Sequence, residues 1–213
     1  MNEFEKIRNR KMLERTAENL RRRRYEALVC ETRGEACTAA LARIGAADTI
    51  AFGGSATLSQ IGLLDALRGG YAGLIDRERA KTPEERKALM RRGLTADVFL
   101  MSANAISENG VLYNIDGNGN RVAAMIYGPD RVLIVAGANK ICHTKESALA
   151  RARGYAAPVN AQRFEGAGTP CLADGVCHDC LSERCICSNI VVSRRCHEKG
   201  RVTVILVNEN LGF

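Results

Sequence analysis

The chain has 213 residues, a net charge of +7, 46% hydrophobic and 26% charged residues, nine cysteines, three histidines and no tryptophan. That length supports one substantial core, and no apolar run approaches the roughly 18 residues that a membrane-spanning helix needs. The opening "MNEFEKIRNRKML" lacks the apolar stretch of a signal peptide, so a cytoplasmic location is expected. Reducing conditions there disfavour a disulfide framework.

The positive balance suits nucleic acid or small anions such as carboxylates, phosphates or coenzyme A. Its densest run, Arg21 to Arg24, lies in a segment, residues 2–27, that reads as one long helix. Phe4, Ile7, Met12, Leu13 and Leu20 give that segment a partial apolar stripe. Five glutamates between Glu3 and Glu26 interleave with the basic residues, the pattern of a helix facing solvent or another subunit. No RNA- or DNA-binding motif accompanies it. A nucleic-acid partner is therefore not expected, while a homo-oligomer stays open.

From there strand and helix patterns alternate. "YEALVCE" reads as a strand, "RGEACTAALARIG" as a helix and "DTIAFGG" as a strand. "SATLSQIGLLDALRGG" reads as one helix with a serine cap and terminal glycines. "TPEERKALMRRG" predicts a helix capped by Thr82, with Pro83 in its first turn and Gly93 as its stop. "ADVFLMSAN" and "GVLYNIDG" are strands, "NRVAAMIYG" a short helix and "DRVLIVAG" a strongly apolar strand. "CHTKESALARARG" has helical spacing ending at Gly154, and "RVTVILVNE" is a last strand. This alternation predicts an α/β protein with a mostly parallel sheet and helices on both faces. Residues 166–200, rich in Cys and Gly, break the rhythm and read as an irregular excursion. The expected organisation is an N-terminal helix (1–27), an α/β domain (28–165), a Cys-rich metal-binding segment (166–200) and a returning strand (201–213).

Ligands of open parallel sheets collect at the carboxyl ends of the strands, and three loops lie there. In "FGGSAT", Gly53 and Gly54 permit close approach while Ser55 and Thr57 add hydroxyls, which suits a phosphate or carboxylate. A tight turn with an ordinary cap is the bland reading of the same letters. Residues 102–120 crowd Asn104, Glu108, Asn118 and other polar groups between apolar strands, although many of these simply make turns. Glu108, at a strand–loop junction, is a candidate base or nucleophile, or else a structural ion pair. In "VAGANKICHTK", Asn139 and Lys140 follow a buried strand, where the lysine meets either an anion or water. His143 is a candidate acid–base group or a cap. No Ser–His–Asp arrangement can be assembled, and three histidines do not suggest a His-rich catalytic metal site.

Together "FGGSATLSQIGLLDAL", "NAISENGVLYNIDGNGNRVAAMIYGPDRVLIVAGANKI" and "TPCLADGVCHDC" resemble the LUD-domain family, the lactate-utilisation protein C-like group. The resemblance runs from about residue 5 to the final "VILVNENLGF" and is most specific in "NIDGNGNRVAA". It implies the Rossmann-like sandwich of the ribose-5-phosphate isomerase and CoA-transferase superfold. It also implies a role in oxidising lactate-like acids beside iron–sulfur redox partner proteins. Gly53, Gly54, Ser55 and Thr57 match the superfold's anion-binding loop. "SENG" at Ser107 to Gly110 is similar to the CoA-transferase signature, which would make Glu108 the nucleophile, but acyl-CoA-binding parts are not recognisable. In a Cys-rich subgroup of the family the metal ligands correspond to Cys171, Cys177, Cys180 and Cys187. Cys185 stands where that subgroup has arginine, and Cys196 lies outside the pattern.

Those four thiols are separated by five, two and six residues. Structural zinc usually pairs two short knuckles, and only Cys177 and Cys180 form one; a 4Fe–4S cluster accepts less regular spacing. The expected cofactor is therefore a 4Fe–4S cluster, with zinc or free thiols as alternatives, while Cys30, Cys37 and Cys142 read as ordinary small buried residues. The functional expectation is redox or electron-transfer support in organic-acid metabolism, with an anionic ligand among Ser55, Thr57, Glu108 and Lys140. The alternatives are a CoA-transferase- or isomerase-like enzyme using Glu108 beside a structural metal, and a non-catalytic assembly subunit for iron–sulfur partners.

Overall fold

The computed structural model describes residues 2–213. Helix α1 (Glu3–Arg22) opens with a capping box in which Asn2 and Glu5 satisfy each other's backbone amides. It buries Met12, Leu13, Ala17 and Leu20. The helix ends five residues earlier than the charge pattern suggests. Arg24 takes a left-handed turn (φ 68°), which lets buried Tyr25 enter the core and strand β1 (Glu26–Cys30) begin.

Helix α2 (Arg33–Leu41) leads to β2 (Ile50–Phe52). The helix expected over residues 55–70 is two, α3 (Ala56–Gln60) and α4 (Leu63–Arg68), because Gly62 between them has φ 77°. Then come β3 (Leu74–Ile75), α5 (Pro83–Arg92) and β4 (Val98–Met101). Thr82 accepts from the Glu85 amide, and Pro83 and Gly93 stand at the ends of α5 as expected. Strands β5 (Ala105–Ser107) and β6 (Leu112–Asp116) precede α6 (Asn120–Ile126), β7 (Arg131–Gly137) and β8 (Ile141–Cys142). Helix α7 (Lys145–Arg151) does not stop at Gly154. It passes through a π-helical turn, Ala152–Ala156, into α8 (Ala157–Ala161). Helix α9 (Pro170–Asp174), β9 (Asn189–Ser193) and β10 (Val202–Val207) complete the order.

Six strands form one parallel sheet in the order β1-β10-β7-β4-β2-β3. Alternation along β7 splits its residues between two layers. Val132 and Ile134 pack with α1, while Leu133 and Val135 pack with α2, α3 and α4. The last strand, β10, runs between β1 and β7, and all six of its residues are buried. The fold is thus a Rossmann-like α/β sheet with helices on both faces.

A second sheet, β8-β5-β6-β9, went unseen in the alternation pattern. Strand β9 supplies its edge by pairing antiparallel with β6, so the Cys-rich excursion is anchored to the body at its downstream end. One face of this sheet packs on α7 through Tyr113, Ile115, Ala148 and Ala152. No helix among the described residues is long and apolar enough to cross a membrane.

Candidate functional site

A cavity of about 390 Å³ opens where the parallel strands end. Residues following β2 (Gly54, Ser55, Thr57), β3 (Arg77), β4 (Ser102, Asn104), β7 (Lys140) and β10 (Gly212) all line it. The second sheet adds Asp116, Asn118 and Arg121. This is the crevice that a parallel sheet reserves for ligands.

Lys140 is 3% exposed. Its Nζ donates to Ser102 Oγ at 2.9 Å and to Thr57 Oγ1 at 3.0 Å. Both hydroxyls direct their own hydrogens to carbonyls, Ser102 to Ala103 O and Thr57 to Leu211 O, so both are acceptors for the lysine. No carboxylate pairs with Lys140 among the described residues. Burial, then the charges of Arg151 and Arg121, push its pKa down to about 7. The nitrogen keeps one position free for an occupant of the cavity, as a third N–H when charged or a lone pair when neutral.

Arg121 fixes the floor. Its guanidinium donates to Ser102 O, Asn114 Oδ1, Asn104 Oδ1 and Ile115 O at 2.6–3.0 Å. Asp116 accepts from the amides of Gly119, Arg121 and Val122, capping α6 and thereby placing Arg121. Gly53 is required beneath it, since a Cβ there would stand 2.7 Å from Arg121 Cδ. Arg77 lies over Gly54 in the same way, a Cβ there falling 2.6 Å from its Nη2. Both glycines, read in the sequence as part of an anion loop, give clearance to an arginine, and Gly54 also lines the cavity.

Of the remaining expected residues, Ser55 caps α3 by accepting from Leu58 N at 3.3 Å and also lines the cavity. Asn139 turns away: it receives Leu211 N at 3.0 Å and donates to Gly212 O, tying down the segment after β10. Glu108 is not brought to this cavity. It occupies the β5–β6 turn, where Gly110 (φ 83°) presses against the backbone of Asn19 in α1. Its carboxylate faces Arg15 at 3.2 Å and His143 Nδ1 at 3.4 Å, and Asn19 donates to its carbonyl. An anion site joining Glu108 to Ser55, Thr57 and Lys140 is therefore corrected to one without Glu108. Arg77, Ser102 and Arg121 escaped the sequence reading. Only the position of Arg121 directly after "DGNGN" signalled a cation at the mouth of a strand-end loop.

A second cavity, of about 210 Å³, is lined by Cys171, Cys177, Cys180, Cys185 and Cys187. Cys171 rides on α9; Gly175 (φ 77°) ends that helix and turns the chain toward Cys177. Asp179 adopts φ 50° between Cys177 and Cys180. The Cys180 thiol is drawn below its ordinary pKa by the Ser182 hydroxyl and amide, and burial first, then the neighbouring thiols, push Cys187 up to about 11. Cys196 stands apart, 6% exposed, in the core against α1. Every described cysteine is a free thiol, and no three His, Cys, Asp or Glu side chains among the described residues are arranged to hold a metal ion. The two cavities meet: Phe164, Arg184, Cys185 and Ile186 line both.

A family model, that of the LUD domain, matches residues 13–207. The chain belongs to the LUD domain family. A DUF162 family protein from Deinococcus radiodurans, known from a crystal structure at 1.70 Å resolution, is similar to this LUD protein with a TM-score of 0.52. The likeness covers 93% of this chain and 98% of that one at 14% identity, and it speaks for the fold. No curated protein matches this LUD protein.

Proposed function

We propose that this LUD protein binds a small organic-acid anion in the strand-end cavity and a 4Fe–4S cluster at Cys171, Cys177, Cys180 and Cys187, acting in redox support of lactate-like acid metabolism. The observation that carries the reading is the shared wall: Arg184, Cys185 and Ile186 border the thiol-lined cavity on one side and the cationic cavity on the other. The donor type supports the group, because soft thiols favour iron–sulfur or zinc over a hard cation, although no three of the described thiols converge as they stand. On this reading a bound cluster would need four of these thiols to converge. When bound, such a cluster supplies one-electron transfer next to the organic acid.

The chain's own residues do the rest. Charged Lys140, steadied by Ser102 and Thr57, holds the carboxylate, while Arg121 keeps the floor rigid and cationic. Lys140 is itself buried, so its charge acts in a weakly screened environment. Zinc at the same thiols with a purely structural role is the second reading, favoured by the short Cys177–Cys180 knuckle. Partner iron–sulfur proteins that exchange electrons with this site belong to the first reading only.

Anaerobic purification tests the proposal. Iron and sulfide in near-stoichiometric amounts with a broad absorption at about 400 nm support it. One zinc per chain and no colour would remove the redox reading and leave the structural one.

A further inference from the structure

The strand-end cavity carries more positive charge than one carboxylate needs. Arg77, Arg86, Arg121, Lys140, Arg163 and Arg184 line it against Glu78, Asp116 and Glu183. Two of those acids are engaged elsewhere: Glu78 pairs with Arg68 at 2.8 Å, and Asp116 accepts the α6 amides.

The cations fall into two groups. Lys140 sits within electrostatic reach of Arg151 and Arg121, whereas Arg77 sits within reach of Arg86 and Arg163, with Glu78 and Asp116 offsetting them in part. Arg121 acts on Lys140 and is itself acted on by Asp116 and then Arg77, so its charge couples to both groups. At the second group Arg77 lacks a direct carboxylate contact among the described residues. Its guanidinium donates only to Met90 Sδ at 3.4 Å, its Nε is buried without a partner, and no carboxylate comes within ion-pair distance among the described residues. A half-buried guanidinium crowded by like charges is costly unless an anion joins it. Gly54 leaves the space that this arrangement needs. The cavity volume, about 390 Å³, also lies in the range of roughly 300–1,000 Å³ that holds ligands larger than a three-carbon acid.

We infer that Arg77, with Arg86 and Arg163, forms a second anion subsite for a phosphoryl group, so that the ligand is a phosphorylated organic acid with its carboxylate at Lys140. This rests on the reading of the cavity as an organic-acid site and names the substrate class. Planar guanidinium forks match phosphate oxygens in pairs, which a lone ammonium cannot do. No bond is made or broken in this step; it is recognition alone.

Titration calorimetry on the full chain tests it with D-glycerate and 3-phosphoglycerate, two acids that differ by the phosphoryl group. At about pH 6.5, below the Lys140 pKa of about 7, 3-phosphoglycerate should bind at least roughly tenfold tighter than glycerate. Arg77→Gln should shrink that ratio toward one and leave glycerate binding unchanged, and the more exposed change Arg163→Ala should do so partially if Arg77→Gln fails to fold. Equal affinity for the two acids, or variants that weaken both alike, would overturn the subsite. Lys140→Met separates the two levels. If it leaves 3-phosphoglycerate binding intact, the carboxylate assignment at Lys140 falls while the phosphoryl subsite stands. If neither acid binds the unaltered protein, both fall.

Discussion

Lys140 Nζ lies 2.9 Å from Ser102 Oγ in a cavity where no carboxylate answers it. The two residues follow adjacent parallel strands, β7 and β4, so the contact depends on the sheet register that pairs Leu100 with Leu133 and Met101 with Ile134. A buried ammonium with two of its three N–H groups on hydroxyl oxygens keeps one donor unmet, and an incoming anion completes it.

Anion binding should therefore depend on pH. The binding form of Lys140 is the ammonium, and with a pKa of about 7 it is lost as pH rises through neutrality. Affinity for D-glycerate should be constant well below that value and fall about tenfold per unit above it. Calorimetry between about pH 6 and 9 reads this directly. A flat profile would mean that Lys140 does not hold the carboxylate.

The same shift makes a stability prediction for the ligand-free protein. Folding lowers the Lys140 pKa from 10.5 to about 7, so the unfolded chain binds more protons between those values. The destabilisation is fully present below about pH 7 and is relieved as pH rises toward 10.5. Lys140→Met should raise stability near pH 7 by on the order of 1–3 kcal/mol and flatten this rise. Urea denaturation of both proteins at several pH values measures it.

Arg121→Ala should damage the fold and not merely the site. The change takes the guanidinium from Asn114 Oδ1 and from two backbone carbonyls, Ser102 O and Ile115 O, and leaves Asn104 Oδ1 with the Ile115 amide alone. A loss of about 2–4 kcal/mol is expected by urea denaturation. Glu108→Gln, by contrast, removes charge from exposed ion pairs with Arg15 and His143, and it should change stability by less than about 1 kcal/mol. It should leave glycerate affinity untouched.

Gly212→Ala tests how closely the segment after β10 seals the cavity. Gly212 has φ 59°, and an added Cβ would collide with Thr57 Oγ1 and approach Lys140 Nζ at 3.1 Å. Displacing Thr57 removes one acceptor from the lysine, so glycerate affinity should drop by about tenfold while the fold persists. Calorimetry beside a circular-dichroism melt distinguishes the two effects.

The cysteines separate by location. Cys177→Ser and Cys180→Ser should abolish iron binding in anaerobically purified protein. Cys196→Ser should leave the iron content unchanged while costing about 1 kcal/mol, because its thiol is packed in the core. Cys185→Ser should retain iron if Cys171, Cys177, Cys180 and Cys187 are the ligands. Any change in anion affinity in that variant would report the shared wall.

Local chemistry was the legible part of this protein. Apolar runs such as "RVLIVAG" and "VTVILV" mark buried strands by composition alone, and Thr82, Pro83 and Gly93 mark a helix from both ends, because caps and hydrophobic periods act over a few residues. The cluster of cysteines and the polar strand-end loops were visible for the same reason. Gly62 and Arg24 show the limit, since a left-handed backbone broke helices whose letters favoured continuation.

Only the tertiary structure decided which polar groups share a cavity. Arg77, Ser102, Arg121 and Lys140 are spread over 64 positions; the parallel sheet that holds β3, β4 and β7 brings Arg77, Ser102 and Lys140 to one end, and the second sheet adds Arg121. Glu108 sits closer in sequence to Ser102 than Arg121 does, yet the β5–β6 turn carries it away to α1. Gly53 and Gly54 changed meaning for the same reason: what they make room for comes from distant chain. Sequence determines local conformation through short-range sterics and hydrogen bonding; the site is set by strand pairing and burial, which join residues that the chain keeps far apart.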